Sequence, residues 1–333
     1  MFRYIIRRLI AGVITLLVVT LVTFGIFFMV PKLTGTDPAL LYTGKQTDKV
    51  AIEGARKKMG LDKPVIEQYG LFVKGLVVGR DYDDGPDKTH CPAPCFGYSF
   101  KNQFNVWQRM LSDLPVTASL AVGAAVIWLI LGVGAGIISA LRKGRAIDRA
   151  VMTGALAGVS LPIYFTGLLS ASIFVYTLNW LPSPGYSPFL QNPLTWAQGL
   201  ILPWITLAFL FAATYARLTR ATMLETLSED YIRTARAKGL RERTVIGKHA
   251  LRSTLTPITT VFGLDLGALL GGAVLTETVF NLNGLGKDAV LAISTSDLPV
   301  ILGVTMFAAF FIVLANLIVD VLYGVIDPRV RLA

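Results

Sequence analysis

The chain has 333 residues, of which 53% are hydrophobic and only 16% charged. So apolar a composition excludes an ordinary soluble domain and points to a lipid bilayer. The formal charge of +10 would suit nucleic acid, but the basic residues are placed as membrane topology demands, so no nucleic-acid partner is expected.

A transmembrane helix needs about 20 mostly apolar residues. Six stretches qualify: 9–30, 114–141, 151–176, 201–222, 255–275 and 300–325. The first follows Arg3, Arg7 and Arg8. Its apolar run is too long for a signal-peptide core and no small-x-small cleavage site follows it, so it is read as a retained first helix. The 31–108 segment comes next and is large enough for a small external subdomain. Helical spacing is expected over 51–59 and 65–78, with a turn at Leu61-Asp-Lys-Pro64 and an irregular stretch over 80–94, rich in Asp, Gly and Pro. Cys91 and Cys95 lie there in Cys-Pro-Ala-Pro-Cys. Outside the cytoplasm such a pair forms a local disulfide. With His90 adjacent the spacing also permits a metal, although a fourth ligand is missing.

Inside the second span Gly132 and Gly136, and inside the fifth Gly263, Gly267 and Gly271, recur at four-residue steps. Small residues so spaced let helix backbones approach closely. Asp265 sits near the centre of the fifth span, where an ionisable group is costly and faces either a translocation pathway or a polar partner on another helix. Asn316 and Asp320 pose the same choice in the last span.

Arg142, Lys143, Arg145 and Arg149 fill the second–third connection, and nine more basic residues lie between Arg217 and Arg252. With the N-terminal arginines, Arg329 and Arg331, 18 of the 31 basic residues fall on one face of the membrane. Both termini are therefore expected in the cytoplasm. The opposite connections, 178–200 and 277–299, hold one lysine, Lys287. No catalytic constellation appears: the two histidines are His90 and His249, on opposite faces, and no Gly-x-Ser-x-Gly elbow is present. A stand-alone alternative, a secondary transporter, would use Asp265 and Asp320 for proton coupling.

The most informative stretch lies between the fourth and fifth spans. Ser228-Glu-Asp230 offers an N-cap and acids for the positive end of a helix dipole. Two helical turns follow over 231–238, Gly239 supplies a left-handed stop, and a second basic helix is expected over 242–252. A loop that merely anchors charge needs no defined shape; this one has one.

That loop resembles the coupling element of ATP-binding-cassette (ABC) importer permeases, whose signature is Glu-Ala-Ala, three residues, then Gly. Aligned on Gly239, the chain reads Arg233-Thr234-Ala235, matching at Ala235 and Gly239. Tyr231-x-x-Thr-Ala-x-Ala-Lys-Gly-Leu240 and His249-Ala-Leu-Arg252 are the form typical of the dipeptide/oligopeptide branch. Tyr4-Ile-Ile-Arg-Arg8, Thr36-Asp37-Pro38, Gly60-Leu-Asp-Lys-Pro64, Leu161-Pro162, Glu277-Thr-Val-Phe280 with Gly284-Leu-Gly286, and Asp327-Pro328-Arg329 are similar to other segments of that branch, and point to the B-type member of the permease pair. The stretch around the two cysteines looks like an insertion.

The resemblance implies an all-α integral membrane protein with six transmembrane helices, the type I ABC importer permease fold and an external subdomain after helix 1. The divisions it suggests are 1–30, 31–108, a permease core over 109–325 with its coupling loop at 223–254, and a tail over 326–333. It implies a homologous second permease subunit, two cassette ATPase subunits and an extracytoplasmic peptide-binding protein. ATP and Mg would be held by those ATPases; this chain has no cofactor and no catalytic role. Asp230, Tyr231, Arg233, Thr234, Ala235, Arg236, Ala237, Lys238 and Gly239 would couple to the ATPases, with Ala235 and Ala237 allowing close approach. Asp265 would line the pathway, and 277–299 would form an external gate or a contact for the binding protein. Peptides are the expected cargo, with nickel chelates, glutathione and haem as alternatives, across the bacterial plasma membrane.

Overall fold

A computed structural model describes residues 2–33, 39, 49–83 and 88–326. The motifs at 36–38 and 327–329, with Arg329 and Arg331, lie outside the described residues. Helix α1 (Phe2–Leu33) carries an apolar span, Ile6–Phe28. Arg8 reaches from it to Asp320 near the end of the last helix, at 3.1 Å, so that intramembrane acid is one half of an ion pair.

The segment after α1 holds two helices, α2 (Lys49–Met59) and α3 (Val65–Val78), at the positions expected. The stretch expected to be irregular contains a hairpin instead. Strand β1 (Arg80–Asp83) pairs antiparallel with β2 (Lys88–Cys91), Arg80 opposite Cys91 and Asp81 opposite His90. Its stability is tertiary: Tyr82 is buried and its ring meets Phe100 edge-on at 5.4 Å, a contact invisible to local composition. Cys91 and Cys95 form a disulfide. His90 turns its Nδ1 to Asp81 at 2.6 Å rather than to the sulfurs, which leaves the metal alternative without support. A second pair, β3 (Tyr98–Ser99) and β4 (Phe104–Asn105), leads into the bundle.

Asn105 caps α4 (Val106–Leu141) by accepting from Trp107 N–H at 2.9 Å. The third span departs from the single helix expected. It is two helices, α5 (Ala146–Ser160) and α6 (Ile163–Thr177), bent by 98° at the break. Leu161 is extended there (φ −89°, ψ 124°), the backbone that a residue before proline favours, and Pro162 has no N–H to continue the ladder. Among the described residues five helices are long and apolar enough to cross a membrane, or six spans if the bent pair counts as one.

Helix α7 (Pro193–Ser228) has 36 residues, or about 54 Å at 1.5 Å per residue, well beyond a hydrocarbon core of about 30 Å. The short α8 (Asp230–Ala237) follows. The expected second basic helix is not a separate element: it is the first turns of α9 (Glu242–Leu270), whose π-type turn at Val245–Ala250 keeps the helix continuous into the fifth span. That span stops at Leu270, before Gly272 with φ +133°. Two short helices, α10 (Val274–Val279) and α11 (Leu285–Thr295), precede α12 (Leu298–Ile326).

Small residues pack the bundle as their spacing predicts. A Cβ on Gly136 would lie 2.6 Å from Thr219 of α7, and one on Gly267 2.6 Å from Ala315 of α12. Trp128 of α4 is fully buried between α7 and α9, stacked on Phe211 at 4.5 Å and edge-on to Phe262 at 6.3 Å.

Candidate functional site

The coupling-loop residues build one compact element. The N-cap differs from expectation: Ser228 Oγ donates back to Glu225 O, and Glu229 takes the cap position without a side-chain bond. Asp230 supplies the first-turn acid, and Arg233 lies 3.4 Å from it. At the other end Gly239 N–H bonds Arg236 O and Leu240 N–H bonds Ala235 O, the pair of bonds of a Schellman stop. Gly239 sits at φ +75° with open space around its missing Cβ, so only the backbone conformation demands glycine there.

Helix α8 docks by one face. Ile232 and Ala235 are buried against Ala140 of α4, Met223 of α7, and Val245 and Ala250 of α9. Of the two alanines, Ala235 packs on the chain's own bundle and Ala237 is exposed. Tyr231, Arg233, Thr234, Arg236, Ala237 and Lys238 face outward, with the Arg233 side chain 70% exposed. Arg236 donates two bonds to Glu242 at the start of α9, 3.2 and 2.8 Å, which brace the turn. That bond holds the guanidinium above its ordinary pKa, with burial opposing.

Near this element lies a part-buried ion pair that the residues alone did not suggest. Arg220 of α7 grips Asp148 of α5 at 2.7 and 2.9 Å, and the Asp148 carboxylate also accepts from Ser139 Oγ and Gly144 N–H. Asp148 is the one acid in a connection of four basic residues, a signal that was present but had no partner in view. Asp265 accepts from Tyr215 Oη at 2.8 Å, joining α9 to α7. Tyr215 lies fully buried and was missed for the same reason.

On the opposite side of the bundle the 277–299 connection is folded rather than plain loop. The buried Glu277 accepts from Thr117 Oγ1 (2.8 Å), Ala273 N–H (3.1 Å) and Lys287 N–H (2.9 Å). Thr117 in turn accepts from Leu285 N–H at 2.9 Å. Burial pushes the Glu277 carboxyl up, opposed first by the Lys287 N–H and then by the Thr117 hydroxyl. Among the described residues no group of three His, Cys, Asp or Glu side chains is placed to hold a metal ion.

The elements now in view, a bundle of long apolar helices with a small helix presented between two of them, have known counterparts. Residues 1–121 match the N-terminal region, and residues 132–332 the main region, of the binding-protein-dependent transport system inner membrane component. The chain belongs to that family. It is an ABC permease subunit and a multi-pass membrane protein, and membership places it in a binding-protein-dependent transport assembly. It is 38% identical to the di/tripeptide transport system permease protein of Pseudomonas aeruginosa, over 99% of each chain. A Brucella abortus protein provisionally named a peptide transport system permease is 38% identical over 98% of each. The glutathione transport system permease protein of Escherichia coli is 37% identical over 99% of each. In fold the chain resembles the inward-facing MetNI methionine ABC transporter, with a TM-score of 0.50 at 15% identity, covering 66% of this chain and 97% of that one.

Proposed function

We propose that this chain is one of two permease subunits of an ATP-driven importer of di- or oligopeptides in the bacterial plasma membrane, with both termini cytoplasmic. Its partners are a homologous permease, two cassette ATPases that hold ATP and Mg, and an extracytoplasmic peptide-binding protein. The observation that carries the reading is α8: a capped, cationic helix bound to the bundle through Ile232 and Ala235 while its other face stays free. A helix held that way follows a partner that grips the free face and passes the movement to α7 and α9. The peptide class is supported by two relatives named for peptides and one named for glutathione, itself a peptide.

In this reading Asp230, Tyr231, Arg233, Thr234, Arg236, Ala237 and Lys238 contact the ATPase, while Ala235 and Gly239 set the seat and the exit angle of the helix. Asp265 is the pathway residue, its carboxylate oriented by Tyr215. The 31–108 segment is the external subdomain. The test is Gly239→Leu in the complete importer reconstituted in liposomes, with uptake and ATP hydrolysis measured together. Leucine is strained at φ +75°, by about 1–2 kcal/mol. Uptake should fall at least tenfold while ATP hydrolysis continues; unchanged peptide uptake would sink the role of Gly239. Uptake that persists without the ATPases and stops on collapse of the proton gradient would favour a secondary transporter.

A further inference from the structure

The apolar face of α3 and the cations beside it suit a lipid. Helix α3 does not stand clear of the membrane. Tyr69 hydrogen-bonds Thr20 of α1 at 3.0 Å, and Thr20 lies eight residues inside the apolar span that ends at Phe28. At 1.5 Å per residue that is about 12 Å below the end of the span, the depth of acyl chains. Phe72 packs on Phe24 of α1, which fixes which side of α3 meets the bundle. Ile66 and Val77, eleven residues apart and so on one helical face, point away from the bundle, 87% and 74% exposed. In water that face would be unfavourable; at an interface it is the buried face of an amphipathic helix.

The flank next to this apolar face is cationic. A cavity of about 490 Å³ is lined by Lys57 of α2, Lys63 of the turn, Lys74 of α3 and Arg80 of β1. Asp81 and His90 line its rim and are paired with each other. Lys63 is bonded to Glu67 at 2.7 Å, and the Arg80 guanidinium lies 4.7 Å from the centre of the Tyr82 ring, which holds it in place. The cavity therefore keeps an excess of positive charge directly beside the exposed apolar strip of α3.

We propose that this corner binds an anionic phospholipid of the adjoining leaflet. Lys57, Lys63, Lys74 and Arg80 hold the headgroup phosphate, and the acyl chains lie along Ile66 and Val77. The arrangement anchors the subdomain to the bilayer next to α1, and it does not depend on cargo or on ATP. Neither the coupling role of α8 nor the pathway role of Asp265 enters it.

The test is lipid retention by the purified importer complex, exchanged into nanodiscs of phosphatidylcholine with or without phosphatidylglycerol and analysed by native mass spectrometry. Phosphatidylglycerol should be retained preferentially, and the double variant Lys57→Gln, Lys74→Gln should lose that preference by about fivefold for each charge removed. Lys49→Gln, on the same subdomain but outside the cavity, should leave it unchanged. Equal retention of phosphatidylglycerol by the double variant and the parent would overturn the proposal. So would displacement of the lipid by inorganic phosphate at matched concentration, which would assign a free-anion site. Unchanged lipid retention with weakened capture of the solute-binding protein would assign a protein dock instead. ATP-driven uptake by the same variants, read separately, shows whether the importer itself is intact.

Discussion

The two folded connections flanking the fifth span are held in opposite ways. The 229–241 turn rests on the bundle through two small-to-medium apolar side chains and one solvent-exposed ion pair. The 271–299 connection is anchored by the fully buried Glu277 carboxylate of α10, whose oxygens accept from the Thr117 hydroxyl of α4, from Ala273 N–H just before α10 and from Lys287 N–H of α11. Apolar packing of one helix face is non-directional and leaves no polar group unpaired when the helix shifts. A satisfied buried carboxylate resists any such movement, because each displaced donor would be left unpaired away from water. One end of α9 is therefore held by apolar packing and the other by a buried polar anchor.

Removing the anchor should have the largest effect. Glu277→Ala leaves the N–H groups of Ala273 and Lys287 and the Thr117 hydroxyl without their acceptor in a buried site. The expected loss is about 3–5 kcal/mol, read as a large fall in the detergent melting temperature; a shift of a degree or two would break the contrast between the two connections. Asp148→Ala comes next. It strips a bidentate partner from Arg220, whose side chain is 25% exposed and so partly rescued by water, and about 2 kcal/mol is expected. Melting again reads it, and Asp148→Asn should recover part of the loss through Ser139 and Gly144.

Gly239→Leu sits in the middle of the scale for stability and at its top for coupling, since strain at one exposed turn leaves the core intact. The smallest expected change is Arg236→Gln. Both partners of the Arg236–Glu242 pair are about half exposed, so the loss of stability should stay within roughly 0.2–1 kcal/mol. A fall in coupled uptake with melting unchanged would show that the brace sets the angle of α8 rather than the stability of the loop. The exchanged pair Arg236→Glu, Glu242→Arg should restore part of that uptake.

Much of the architecture was legible in the residues because one solvent dominates it. Length and hydropathy locate the spans, and glycines at four-residue steps announce close packing. The short helix at Asp230–Ala237 was legible too, since a first-turn acid and a stop glycine act within one helix. Composition could not show that Leu161-Pro162 breaks the third span by 98°, because a proline in an apolar run can also sit inside a continuous helix, as Pro115, Pro203 and Pro257 do. Nor could it show the hairpin at 80–91, which depends on where Tyr82 is buried.

The sequence by itself determined the membrane fold class, the number of candidate spans and the identity of the short cationic helix, because those depend on local periodicity and on transfer from water to lipid. Only the tertiary structure decided that Ala235 faces inward, that Tyr215 meets Asp265, that Arg220 meets Asp148, and that Glu277 anchors the 271–299 connection. Each of those is a pairing across a long sequence separation. A buried polar side chain declares in the sequence that it needs a partner, and only the packing of helices shows which one it has.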